Sequence, residues 1–227
     1  MTKKAKSASH DKNAKGKETV KAKGRKKSTR DKILKAAQQV FATHPYHSAS
    51  IRMIGKLAEI EHPLISYYFP TKSDLFSAVI QDQIDSRVKL ESVWFADVKG
   101  LGPERGFSLY LDYVLDDFRK RPGLLQIVSL NLSRSSESEL IPGYDKIQEF
   151  MQTLSKRFID TFGQQVSQRE GLMFARAISA LLVAFLGSAD SYSSMMKMES
   201  DSIVYYNWVK DTLIYTLLPR IERIINP

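Results

Sequence analysis

The sequence predicts an all-α fold, and three observations carry that expectation. From residue 28 onward apolar side chains recur at three- and four-residue intervals, and no stretch shows the alternation of a half-buried strand. The helical stretches are separated by Gly, Pro and Ser clusters, such as Gly100-Leu101-Gly102-Pro103 and Arg121-Pro122-Gly123. A chain of 227 residues, 43% of them hydrophobic, can bury a sizeable core. Three parts are expected: a basic tail over 1–27, a small helical domain over 28–74 and a larger body over 75–227.

The tail holds the chain's whole charge excess. The net charge of the protein is +9, and the Lys, Arg, Asp and Glu of residues 1–28 alone give that figure. Val20 is its only large aliphatic residue beyond Met1, so it buries no core and is expected to be disordered. Two readings stand side by side: an arm that contacts DNA phosphates or the minor groove, and a solvated tail.

Residues 28–43 form the first expected helix. Ser28 or Thr29 caps it, Asp31 favours its positive end, and Ile33, Leu34, Ala37, Val40 and Phe41 make its buried stripe. Pro45 stops it. Ser50 then caps a short helix in which Ile51, Ile54, Leu57 and Ala58 form one apolar face. After the turn Glu59-Ile60-Glu61, Ile65 and Phe69 give a second short helix its buried side, with Pro63 in its first turn. Thr71-Lys72-Ser73-Asp74 reads as a capping box opening a long fourth helix.

Two short helices joined by a few residues, the second with an exposed polar and aromatic face, fit a helix-turn-helix that reads the DNA major groove. The DNA-facing set is then Ser50, Arg52, His62, Pro63, Leu64, Ser66, Tyr67, Tyr68 and Lys72. His62, Ser66 and Tyr67 offer hydrogen bonds to base edges or phosphates, Leu64 or Pro63 suits a thymine methyl, and Arg52 suits a phosphate or a guanine edge. Lys72 suits a phosphate. Tyr68 admits both phosphate contact and core packing.

The same stretch resembles the helix-turn-helix of the TetR family of bacterial repressors. Ser50-Ile51, Ile54-Gly55, Ala58 with Ile60, Tyr68-Phe69 and Lys72 match that family's pattern. Glu59 stands where the turn glycine is usual, Glu61 where a capping serine is usual, and Ser66 where a phosphate-binding tyrosine is usual. The resemblance covers about fifty residues. It implies a nine-helix plan, a homodimer, a palindromic operator in double-stranded DNA and a small-molecule effector bound in the C-terminal body.

The body is expected to hold helices over 72–97, 104–120, 122–133, 142–162, 168–192 and 202–225. Ala177, Ala180, Ala184 and Gly187 make a narrow strip of small residues that lets another helix approach closely. The last helix is apolar on more than one side, with Trp208, Leu213 and Leu217 among its large residues, so it requires a second burying surface. The resemblance names that surface as the second subunit. It also places Trp94, Phe95, Phe107, Tyr110, Tyr113, Phe118, Tyr144 and Phe150 on cavity-lining helices, where each is either ligand contact or plain core. Together they imply an apolar cavity with a few hydroxyls, suited to a hydrophobic or aromatic effector.

Other chemistry finds no support. Cysteine is absent, which removes disulfides and thiol chemistry. No glycine-rich phosphate cradle or nucleophile elbow appears, and His44 and His47 lack a third metal ligand. Asp112, Asp116 and Asp117 read as a solvated helix face, and no cofactor is expected. The longest uncharged apolar run, 177–189, is too short to span a bilayer, and no secretory signal is present, so a cytoplasmic protein with no membrane partner is expected. The leading expectation is a ligand-responsive repressor and not an enzyme. The alternative is an architectural dimer that binds DNA without sequence preference through its tail.

Overall fold

The computed structural model describes residues 28–132, 141–162 and 167–225. The basic tail and the expected breaks near 133–139 and at Gly163 lie outside the described residues. Among the described residues there are ten helices and no strand. They are α1 (28–43), α2 (Ile51–Ala58), α3 (His62–Tyr68), α4 (Lys72–Val98), α5 (Pro103–Lys120), α6 (Gly123–Leu132), α7 (Tyr144–Phe162), α8 (Gln168–Leu182), α9 (Ala189–Met195) and α10 (Ile203–Ile225).

The first three helices pack around Ile33, Ala37, Phe41, Ile54, Ala58 and Ile65, all essentially inaccessible to solvent. Phe41 meets Phe76 of α4 edge to face at 4.7 Å, which joins this unit to the helix that follows. Leu57 departs from the expected apolar face and is 49% exposed. The seam against α1 and α3 is filled instead by Ile54, Gly55 and Ala58.

Helix α4 is the axis of the molecule. Its 27 residues extend roughly 40 Å at the usual α-helical rise, across the expected domain boundary at residue 74. Its first turns bury Leu75, Phe76, Val79 and Ile80, and its later turns bury Arg87, Glu91, Trp94, Phe95 and Val98. Helices α5, α6 and α7 pack on it, α8 packs on α7, and α10 lies across α5 and α8.

The expected helix 168–192 is divided, and this raises the count from nine to ten. Helix α8 loosens into a π-helical turn at Val183–Gly187 before α9 begins. At the end of this turn a Cβ on Gly187 would lie 2.5 Å from the Leu125 carbonyl oxygen and 2.9 Å from Ser129 Cβ. Helix α6 therefore crosses at backbone distance, and the Ser129 and Ser188 hydroxyls pair at 2.6 Å beside the crossing. The Tyr205 hydroxyl of α10 donates to the Phe185 carbonyl of the same turn at 2.6 Å.

By length and composition the stretch Gln168–Gly187, with mean hydropathy 1.6, would suffice to cross a membrane. Here Phe174, Ala175, Ile178 and Leu182 face the interior of the helical body. Arg169, Glu170 and Arg176 interrupt the stretch.

Candidate nucleic-acid interface and effector cavity

The turn between α2 and α3 is built without glycine. Glu59 adopts the left-handed conformation, φ 53° and ψ 45°, and its N–H reaches back to the carbonyls of Gly55 and Lys56. An L-residue is held there at a cost of ~1–2 kcal/mol. Gly55 allows the close turn, since a Cβ would lie 2.8 Å from the Ile60 carbonyl oxygen. Ser50 caps α2 by accepting from the Met53 amide at 3.3 Å, so this side chain is already engaged. Glu61 occupies the N-cap of α3 but makes no side-chain cap bond, and Pro63 stands in the first turn.

Helix α3 buries only Ile65, with Phe69 closing its C-terminus into the core. Its outward face presents His62, Pro63, Leu64 and Tyr67, the last 65% exposed. Ser66 is half-buried, with its hydroxyl 3.4 Å from His62 Nδ1. Tyr68 is half-buried against the core, its ring edge to face with Tyr67 at 5.2 Å. Arg52 is exposed on α2 and lines, with Lys56, Glu59 and His62, a shallow groove between the two helices. Lys32 pairs with Glu59 at 3.5 Å across this edge.

Lys72 is placed differently from the expected phosphate contact. Its ammonium donates to the carbonyls of Tyr46 at 2.8 Å and Ala49 at 3.0 Å, and lies 4.4 Å from the centre of the Tyr46 ring. It thus fastens the α1–α2 loop to the start of α4. The Thr71–Asp74 capping box is complete, with the Asp74 amide donating to Thr71 at 3.0 Å and the Thr71 amide to Asp74 at 3.0 Å.

In the body, α4 to α8 enclose a cavity of about 330 Å³. Tyr110, Phe118, Tyr144 and Phe150 of the aromatic candidates line it, together with Ile84, Leu124, Leu125, Val128, Met151, Leu154 and Ile178. The other four lie outside it. Trp94 and Tyr113 stack on each other at 6.1 Å, Phe95 stacks on Tyr110 at 5.0 Å, and Phe107 packs against Phe174 at 5.8 Å. They share helices with the lining residues but point from other faces, where the neighbouring helix covers them.

Sequence reasoning missed the cavity's charged end. Arg87 and Glu91 line it from α4, one helical turn apart and both buried. Arg87 meets Asp117 at 2.9 Å, so Asp117 is a buried partner and not the solvated residue expected. Asp117 also receives Arg121, while Asp112 pairs with Lys210 and Asp116 with Lys120 at the surface. The Tyr110 hydroxyl donates to Glu91 at 3.1 Å. Burial pushes the Glu91 carboxyl up to about 7, against the pull of Arg87 and the Tyr110 hydrogen bond. Burial also pulls Arg87 below its ordinary value, with Asp117 and Glu91 opposing. The spacing of Arg87 and Glu91 on the buried stripe of α4 was the available signal.

The small-residue strip is split between two uses. Ala177 and Ala180 are exposed on α8 and Ala184 is half-buried. Gly187 serves the crossing with α6 inside the chain, a correction to its expected place at a subunit contact. Leu213 has no exposure and Leu217 is also buried, so these two belong to the chain's own core. Trp208 is half-buried, stacked on Tyr205 and edge to face with Phe185. On α8 and α10 the exposed large apolar residues are Leu172, Met173, Ile203, Val204 and Tyr215, the last at 86% exposure.

Residues 33–79 match the family model of bacterial regulatory proteins of the tetR family. The chain is 29% identical over 107 residues to the HTH-type transcriptional repressor NicS of Pseudomonas putida, covering 44% of this chain and 47% of that one. It is 35% identical over 74 residues to the HTH-type transcriptional regulator UidR of Escherichia coli, covering 30% and 38%. The chain thus spans less than half the length of these curated relatives. Among solved structures, the fatty acid degradation regulator FadR from Bacillus halodurans superposes with a TM-score of 0.59 at 20% identity, over 83% of this chain and 96% of that one. A tetR-family regulator from Streptomyces coelicolor gives 0.59 at 13%, over 88% and 89%. These likenesses show a shared fold. Over the matched helix-turn-helix segment, residues 33–79, the chain is similar to bacterial regulatory proteins of the tetR family.

Proposed function

We propose that this chain represses transcription as a homodimer, each subunit laying α3 in the major groove of one half of a palindromic operator. A small hydrophobic or aromatic effector in the cavity of the body releases the DNA. The observation that carries this reading is the continuity of α4. Its first turn is tied to the small helical unit by Lys72, by the Thr71–Asp74 box and by Phe76 against Phe41. Roughly 20 Å further along, the same helix presents Arg87 and Glu91 to the cavity. A displacement at the cavity therefore moves the reading head, and two heads bound a helical turn apart tolerate little change in spacing.

In this reading residues 28–74 bind DNA, residues 75–227 bind the effector and dimerise, and the protein works in the cytoplasm. The second subunit packs on the outward faces of α8 and α10, over Met173, Ala177, Val204 and Tyr215. The resemblance to a named repressor supports regulation by repression.

One observation favours a second reading: the charge excess in the tail suits an architectural DNA-coating dimer. Selection of bound fragments from source genomic DNA, by the full chain and by a variant lacking residues 1–27, separates the two. Recovery of one short palindrome by both proteins supports the regulator. If the full chain binds every fragment alike and the shortened chain binds none, the function moves to the tail.

A further inference from the structure

The cavity is apolar along most of its wall, and one carboxyl group in that wall is short of partners. Glu91 is 3% exposed and lines the cavity from α4. Among the described residues its side chain receives a single donor. That donor is the Tyr110 hydroxyl, 3.1 Å from one carboxyl oxygen and 3.4 Å from the other. Glu91 forms no ion pair among the described residues. An ionised carboxylate has room for about four donors, and a buried acceptor left short of them is costly. A ligand that donates to Glu91 recovers part of that loss.

The neighbouring polar groups are already engaged. Arg87 meets Asp117 at 2.9 Å and is covered by the rings of Phe118 at 3.8 Å and Trp94 at 5.3 Å, so it offers the cavity no seat. The Tyr110 proton is taken by Glu91 itself.

The groups facing Glu91 bear on the charge of that ligand. Arg87 faces it from α4, Tyr110 and Asp117 from α5, and Arg157 from α7, whose guanidinium also donates to the Val88 carbonyl at 2.8 Å. Two guanidiniums thus stand against two carboxylates, Glu91 included. An ionic head would unbalance this set inside an apolar wall, whereas a neutral donor leaves it as it is.

We propose that the effector is a neutral, mainly apolar molecule with one hydroxyl, an alcohol or a phenol, that donates to Glu91 while its body lies along Leu124, Val128, Phe150 and Leu154. This rests on the reading of the cavity as the effector site.

The test is calorimetric titration of the full-length protein with four probes of similar shape. They are para-butylphenol, para-butylanisole, which lacks the donor, para-butylbenzoate and para-butylbenzylammonium. The titrations are run on the alkaline side of about 7, where the Glu91 carboxyl is ionised and only accepts. The phenol is expected to bind roughly 10- to 100-fold more tightly than the anisole, and more tightly than either ion. Glu91→Gln, a weaker acceptor that can also donate to the anisole oxygen, should narrow that ratio to within about 3-fold while keeping the affinity for the anisole. Tyr110→Phe removes the competing donor and should widen the ratio, which keeps the test open if the Gln variant does not fold. Equal binding of phenol and anisole by the parent protein, or a ratio that neither variant moves, overturns Glu91 as the seat and leaves the cavity as an apolar effector site. Preference for the benzoate or the benzylammonium overturns the neutral head. No binding by any probe overturns both the head and the cavity reading.

Discussion

The backbone amide of Tyr46 donates to the side-chain oxygen of Asn131 at 2.9 Å, across 85 positions of sequence. Asn131 is buried at the end of α6 and donates in turn to the Ile127 carbonyl at 2.7 Å. Tyr46 sits in the α1–α2 loop that Lys72 also holds. Helix α6 lines the cavity with Leu124, Leu125 and Val128, so this bond is a second tie between the cavity wall and the small helical unit.

Asn131→Ala removes that tie and leaves the Tyr46 amide without its acceptor. The expected loss is about 1–3 kcal/mol of stability, read from denaturant midpoints. Hydrogen exchange at the Tyr46 amide should accelerate more than at amides of α10. Equal acceleration in both places would show that the bond does not hold the loop locally.

Glu91→Gln should alter how stability depends on pH. The folded carboxyl is raised to about 7 from about 4.5, so the folded state holds this proton more tightly than the unfolded chain does. Its contribution is fully present below about 4.5 and is lost as pH rises through 7, amounting to about 3 kcal/mol. The Gln variant should lack that decline, so it should exceed the parent in stability on the alkaline side. Parallel stability profiles for the two proteins would show that Glu91 ionises freely in the fold.

Glu59→Gly relieves the left-handed strain of ~1–2 kcal/mol, against an entropic penalty for glycine of ~0.5–1 kcal/mol. The lost pair with Lys32 joins two exposed side chains and adds little. A net gain of about 0.5–1 kcal/mol is expected in thermal or denaturant unfolding. A loss would mean that the Glu59 side chain stabilises the turn.

Arg52→Ala should leave thermal unfolding unchanged, because the side chain is exposed. It should weaken binding to the selected operator by about 1–3 kcal/mol and reduce discrimination against a mutated half-site. Weakening that is uniform across sequences would assign Arg52 to the phosphate backbone.

The helical order was readable because each helix announces its ends with ordinary chemistry. Ser50, Thr71 and Pro63 do in the structure what their types and positions dictate. The division of the expected helix 168–192 was not readable, because the element packed against Gly187 there carries Leu125, more than sixty residues upstream. The exposed residues of α3 could be sorted by helical period from Ile65 and Phe69. The cavity lining could not, since Phe107 and Phe118 share one helix and differ only in which neighbour covers them. Asp117 was misread because its partner, a buried guanidinium, lies far away in sequence.

Helix α3 contributes one side chain to the interior and takes no side-chain cap from Glu61. Its place is set by Ile65, Phe69 and the turn before it, and its outer positions carry almost no structural duty. Such a helix behaves as an exchangeable cassette. Substitutions at residues 62, 64 and 66 are expected to leave the fold and the cavity as they are.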